Sequence, residues 1–390
     1  MKRTLQPRTR QAGPLFAVGA VALIAATYGL ARLGYGLFLP AFSTAFTLSP
    51  TVGGLLASGT SVLYCGAALA GFRYAPSRPR LMTLLAGTTA ALGSAGIAAA
   101  QSTLLFSGAV LVAGVGAGFA SPALVELVQR NTADEDQKKL QSVVNSGTGF
   151  GVVAAGILAL GFGASWRLAW VLIAVITLAA MIGVLRADTS KDLSASDRSS
   201  NDAGQPPRAL TARTLRRPVT AAFIFGTGSA AVWVHGRTLL ENQGGLPSAV
   251  TAGAWIALGL GGAAAVLAAP WLARHRTRTT WRVTVLAVAA ATGAFAAAPH
   301  LAALSFTASA LFGLAYTSAT SVLIIWAGRV STSSAAGTSV LFTSLVLGQS
   351  AGSALTGALI DAGGFGPAFL SAAVVCAVGA LGFAPRGEQR

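Results

Sequence analysis

Charge is what this 390-residue sequence has least of. Only 10% of its residues are Asp, Glu, Lys or Arg, against about 25% in an ordinary soluble domain. A water-exposed surface cannot be built from so few charges, so composition overrides the two or three soluble domains that length alone would allow. Acids number 11, and the histidines are only His235, His275 and His300. They form no cluster with metal-ligand or acid–base spacing, which argues against a metal centre and against an enzyme. GxSxG and P-loop spacings are lacking as well. Cys65 and Cys376 stand singly in apolar runs, without a CxxC or a disulfide framework. No cofactor is expected.

Apolar residues are abundant instead. They make up 54% of the chain, and Gly adds 47 residues; small residues let membrane helices approach closely. A span needs about 20 mostly apolar residues. Twelve stretches qualify: Pro14–Leu39, Thr51–Phe72, Leu81–Ala100, Leu104–Leu127, Leu140–Phe162, Leu168–Leu185, Val219–Leu240, Ala249–Ala269, Val283–Ala298, Leu301–Ala327, Ala336–Ile360 and Pro367–Phe383. The expected class is an all-α membrane protein with twelve transmembrane helices. The basic start and first apolar run resemble a signal peptide, but the run is too long and eleven more follow, so it reads as retained.

The net charge of +16 reads as topology rather than as a nucleic-acid surface. With the N-terminus inside, 24 of the 27 Lys and Arg residues fall on the inner side. That asymmetry predicts a multi-pass protein of the inner (plasma) membrane with both termini cytoplasmic. Residues 187–217 are rich in Ser, Asp, Arg and Pro and have too little apolar surface to fold alone. The expected organisation is a cytoplasmic N-terminus (1–13), a six-helix bundle (14–186), a cytoplasmic linker (187–217), a second bundle (218–384) and a tail (385–390).

The bundles repeat one another at an offset of about 197 to 199 residues. Pro50-Thr51 falls on Pro247-Ser248, Gly114 on Gly313, Arg130 on Arg329 and Gly149 on Gly348. The polarity is the same in each half, so the repeats are parallel, an arrangement used by secondary transporters.

On these features and on several short segments, the chain resembles the major facilitator superfamily over nearly its whole length. Tyr28 to Pro40 resembles the first span of bacterial cyanate-permease and sugar-efflux-like members. Gly114, Gly116 and Gly118 resemble the fourth-span glycines, and Gly71 to Arg80 occupies the loop between spans two and three. The sequence also departs from the family. Ala75 and Pro76 stand where that loop usually has an Asp-Arg pair, leaving Arg80 as its match. Val110 replaces an Arg associated with proton transfer in drug antiporters, and the fifth span lacks the antiporter Pro. The resemblance implies a small-molecule secondary transporter working by alternating access in the lipid bilayer, with a monomer expected. Proton-coupled multidrug or sugar efflux is the alternative within that class. A membrane enzyme and a non-transporting sensor are the readings outside it.

Ionisable groups at membrane depth mark function by default. Arg32 is the clearest. Tyr28 and Tyr35, at i−4 and i+3, share its helix face, and the resemblance implies that the first span faces the cavity. A planar, always-charged guanidinium suits a carboxylate or phosphate, which tilts the expected solute toward an anion; outward snorkelling is the plainer reading. Asn145, Gln349 and Trp233 complete the expected substrate-binding set. Glu126, His235 and Arg80 are the coupling or gating candidates. Arg237 and Glu241 read as a surface ion pair at helical spacing.

Overall fold

Within a bilayer every backbone N–H and C=O must find a partner inside the chain, and a helix provides one locally. The computed structural model describes residues 13–188, 212–331 and 334–385, and the regular structure among them is helical. The first half contains α1 (Pro14–Phe46), α2 (Pro50–Tyr74), α3 (Pro79–Ala99), α4 (Thr103–Asn131), α5 (Asp134–Phe162) and α6 (Trp166–Ala187). The second contains α7 (Ala212–Thr238), α8 (Ser248–Arg274), α9 (Thr277–Ala297), α10 (Ala302–Val330), α11 (Ser334–Gly363) and α12 (Phe365–Gly382). Helix starts follow local chemistry. Pro14, Pro50 and Pro79 sit in first turns, where a missing N–H costs nothing. The Ser49 and Ser102 hydroxyls accept from Val52 and Leu105 N–H groups as N-caps.

Eleven of these helices are long and apolar enough to cross a membrane. The remaining long helix, α11, spreads polar groups along its length, among them Ser344, Gln349, Ser350, Ser353 and Thr356, all buried. Its polarity is hidden against protein rather than turned to lipid. Large apolar side chains such as Leu92, Val175, Leu260 and Val374 face outward instead, as a hydrocarbon surround requires.

Two helices differ from the expected spans for identifiable reasons. α1 continues past Pro40 to Phe46, and the Thr44 hydroxyl bonds the Pro40 carbonyl. α8 tightens into a 3₁₀ turn at Ala265–Ala268, which ends two residues before Pro270, whose ring clashes with a regular turn. The expected linker lies largely in residues 189–211, outside the described residues, as do the outermost parts of both termini.

Packing reproduces the repeat. In the first half α1 packs on α5 and α6, α2 on α4, and α3 on α4 and α6. In the second, α7 packs on α11 and α12, α8 on α10, and α9 on α10 and α12. Adding six to each label converts one list of neighbours into the other. The same rule exchanges the two long seams between halves, α2–α11 and α5–α8, while α1 and α7 meet at the centre. An even number of helices leaves the start of α1 and the finish of α12 at one end, here the terminal end; the opposite end is the far end.

Candidate functional site

The site begins with an irregularity in α1. Residues Ala25–Arg32 form a π-helical segment that closes with the Leu33 N–H donating to the Tyr28 carbonyl at 2.8 Å. Such wide turns are frequent at functional positions. Arg32 ends the segment and reaches toward α2. Its guanidinium lies over the Tyr64 ring, 4.5 Å from the centroid, and donates to the Ser61 hydroxyl at 3.4 Å. No carboxylate lies within ion-pair distance of Arg32 among the described residues.

A cavity of about 40 Å³ opens beside it, between the halves. Arg32 and Tyr35 line it from α1, Ser61 from α2, Trp233 from α7, and Gln349 and Ser353 from α11. Four of the six expected substrate-binding residues therefore share one space. Tyr28 does not line it. Its hydroxyl bonds the Tyr64 hydroxyl at 2.7 Å and Ser121 at 2.9 Å, bracing the ring on which Arg32 rests. The Tyr35 hydroxyl donates to the Gly53 carbonyl at 3.0 Å, tying α1 to α2. Asn145 is exposed on α5 and accepts from Gln141 at 3.1 Å. It lies one turn from Gly149, which faces Ala263 of α8, and it is not among the residues that line the cavity.

The second half presents an aromatic wall. Trp233 packs on Trp255, Phe312 and Tyr316, at centroid separations of 6.1, 5.7 and 5.4 Å. Gln349 donates to the Tyr316 hydroxyl at 2.9 Å. The indole N–H groups of Trp233 and Trp255 are buried with no acceptor among the described residues.

The gating candidates separate. Arg80 sits at the terminal end, 3.7 Å from Asp188, and donates to the Leu185 carbonyl at 3.1 Å. Asp188 also accepts from Asn131 at 2.9 Å, so Arg80 fastens the start of α3 to the ends of α4 and α6. Glu126 is half-buried on α4, near the same end. His235 is fully buried, with no partner for either ring nitrogen among the described residues.

The surface pair expected at Arg237 and Glu241 is instead buried machinery. Arg237 is 7% exposed. It donates to Glu241 at 2.7 Å, to Thr251 at 3.1 Å and, across the seam, to the Leu37 carbonyl of α1 at 2.7 Å. A π-helical stretch, Leu239–Gln243, turns Glu241 back toward it. Nearby, the Thr51 N–H of α2 donates to Asp361 of α11 at 2.9 Å. Ser58 and Ser350 bond across the same seam at 2.7 Å. Gly36 and Gly54 allow the closest approach, because a Cβ on either would collide with the main-chain carbonyl of Trp233 or Ser353. The two halves are thus clamped together at the far end.

Sequence reasoning missed Tyr64, Ser61 and Tyr316. Scarcity was the available signal: four of the five tyrosines in the chain, at 28, 35, 64 and 316, gather around Arg32 and the cavity. The clamp at Arg237 left no such mark, because its partner across the seam is the main-chain carbonyl of Leu37.

Known structures share this fold. A bacterial homologue of the human lysosomal transporter Spinster, in an inward-facing and unoccupied conformation, is 14% identical, with 95% of this chain and 96% of that chain covered and a TM-score of 0.72. The D-xylose–proton symporter is 12% identical over 96% and 98%, with a TM-score of 0.75. The nucleoside transporter NupG is 12% identical over 95% and 97%, with a TM-score of 0.73. No curated protein matches the sequence. The sequence profile of the Major Facilitator Superfamily matches residues 21–343. With that match over most of its length and the six-plus-six fold, the chain belongs to the Major Facilitator Superfamily.

Proposed function

We propose that the protein is a secondary transporter that carries a small organic anion through the space between its two halves. The observation behind this reading is Arg32. A guanidinium keeps its charge at any ordinary pH, and an uncompensated charge at membrane depth is costly. With no carboxylate within ion-pair distance of it among the described residues, an anionic solute supplies the missing counter-charge. Transport then follows from rocking of one six-helix half against the other about this fixed site.

In this reading the positive-inside asymmetry puts the terminal end in the cytoplasm of a cell with an inner membrane. The far-end clamp then makes this conformation one that is shut toward the outside. Arg80 is a scaffold tie rather than a gate. Coupling to protons is a second reading, favoured by His235, which lies buried on the seam one turn from the clamp and has both ring nitrogens unpartnered. Glu126 serves the same purpose at the terminal end. A pH jump across solute-loaded vesicles that leaves flux unchanged removes this second reading.

The anion reading is tested by a thermal-shift screen of the purified protein against anions, sugars and drug cations. A ligand that binds the folded state raises its melting temperature. Carboxylates or phosphates are expected to do so, and Arg32→Gln to abolish the shift. Stabilisation by cations or neutral sugars alone would contradict it.

A further inference from the structure

The contacts of Arg32 divide unequally between the halves. Its hydrogen bond goes to Ser61 and its guanidinium lies over Tyr64, both on α2. The Tyr64 hydroxyl is bonded in turn to that of Tyr28 at 2.7 Å, and Tyr28 to Ser121 of α4 at 2.9 Å. The two phenol rings meet edge to face with centroids 5.8 Å apart. Tyr28 and Arg32 come from the same π-helical segment, Ala25–Arg32. Every link from Arg32 to Ser121 therefore lies in the first half.

The kind of anchor decides what it can do. A carboxylate would neutralise the guanidinium and compete with an anionic solute. A ring face attracts the cation without neutralising it. Arg32 has five N–H groups but a single hydrogen bond among the described residues, the 3.4 Å contact with Ser61, so donors are left for a solute. Across the cavity, polar groups of the second half bond to one another. Gln349 donates to the Tyr316 hydroxyl, and Ser353 donates to the Gln349 carbonyl at 2.7 Å. When the halves rock, bonds across the seam must part, such as Ser58–Ser350 and Arg237–Leu37. Bonds inside one half persist.

We propose that Tyr64 is a positioning residue for Arg32, and that the charge of the solute stays with the first half in every state of the cycle while the second half acts as a cover. This rests on the anion reading above. A charge held equally in all states favours none of them, so binding does not trap the carrier on one side. Lactate, succinate and inorganic phosphate are titrated by calorimetry into the full-length protein in lipid nanodiscs. Uptake of the tightest-binding of the three is then followed in proteoliposomes. Tyr64→Leu, which removes the ring, should weaken binding about tenfold. It should raise the KM of uptake by the same factor with the maximal rate unchanged, as for loss of an interaction common to all states. Tyr64→Phe keeps the ring and loses only the hydroxyl, so its loss should stop at about threefold. Tyr28→Phe, a milder change that cuts the same brace from the other side, should match it. Wild-type affinity in both Tyr64→Leu and Tyr28→Phe, or a fall in maximal rate at unchanged KM, would overturn the positioning role. The anion reading would stand in that case if Arg32→Gln still abolished binding. Binding by none of the three anions, or equal binding by Arg32→Gln and wild type, would overturn both.

Discussion

Arg237 of α7 donates a 2.7 Å hydrogen bond to the Leu37 carbonyl of α1, so a buried cation of one half is held by the backbone of the other. The same guanidinium satisfies Glu241, itself bonded to Thr251 at 2.6 Å. One side chain therefore helps to close the far end and neutralises a half-buried acid.

Removing that cation should cost more than a surface pair. Arg237→Ala leaves Glu241 without its counter-charge, and breaking a buried pair in this way costs about 3 kcal/mol. Thermal or denaturant unfolding in detergent measures the loss. In a Cys65→Ser, Cys376→Ser background, a cysteine reporter at Ser353 should also react faster with a thiol reagent added from the far side. Unchanged stability and reactivity would return Arg237 to the role of a surface residue.

Gly54 should be intolerant of any larger side chain when this conformation forms. A Cβ there meets the Ser353 carbonyl, and overpacking of this kind costs about 2 kcal/mol, roughly a thirtyfold shift in a two-state equilibrium. Gly54→Val should fold, yet favour the state open at the far end. The same Ser353 cysteine reporter reads that shift.

Asp361 gives the clamp a dependence on acid. It is exposed at the end of α11, one residue beyond the expected span, and hydrogen bonding from Thr51 holds its carboxyl below the usual carboxylate range. A carboxylate with a lowered folded-state pKa contributes stability above its unfolded value, near 3.9 for Asp. That contribution is lost as the pH falls through the folded value. Far-end reactivity should therefore rise below about pH 4. Asp361→Asn should raise it at neutral pH and flatten the acid response.

Arg80 tests the difference between scaffold and site. Its side chain is about half exposed, whereas Asp188 is buried. Arg80→Ala should lower stability by about 1 kcal/mol, measured by unfolding, without changing solute affinity. A large loss of affinity at normal stability would give Arg80 a direct part in transport.

The fold was legible because a bilayer permits so few solutions. Hydropathy located the spans, and the offset that aligns Pro50 with Pro247 and Arg130 with Arg329 pointed to two parallel repeats, which the packing of the helices reproduces. Arg32 was legible for the same reason, as a charge in an apolar run. The π-helical turn that aims it was not, since π and α turns differ by one residue of register and leave no compositional trace. Tyr28 was misread as lining because regular helical spacing was assumed across that turn. Arg237 was misread because its i,i+4 partner hid a contact 200 residues away, and periodicity along one helix carries no information about the backbone of another.

The most direct test is uptake of the tightest-binding anion into proteoliposomes containing wild-type protein, Arg32→Gln or Arg80→Gln. The prediction is wild-type and Arg80→Gln uptake that saturates with solute and competes with other carboxylates, and none above empty liposomes for Arg32→Gln at equal reconstitution. Wild-type rates in Arg32→Gln would contradict the claim that this arginine binds the solute.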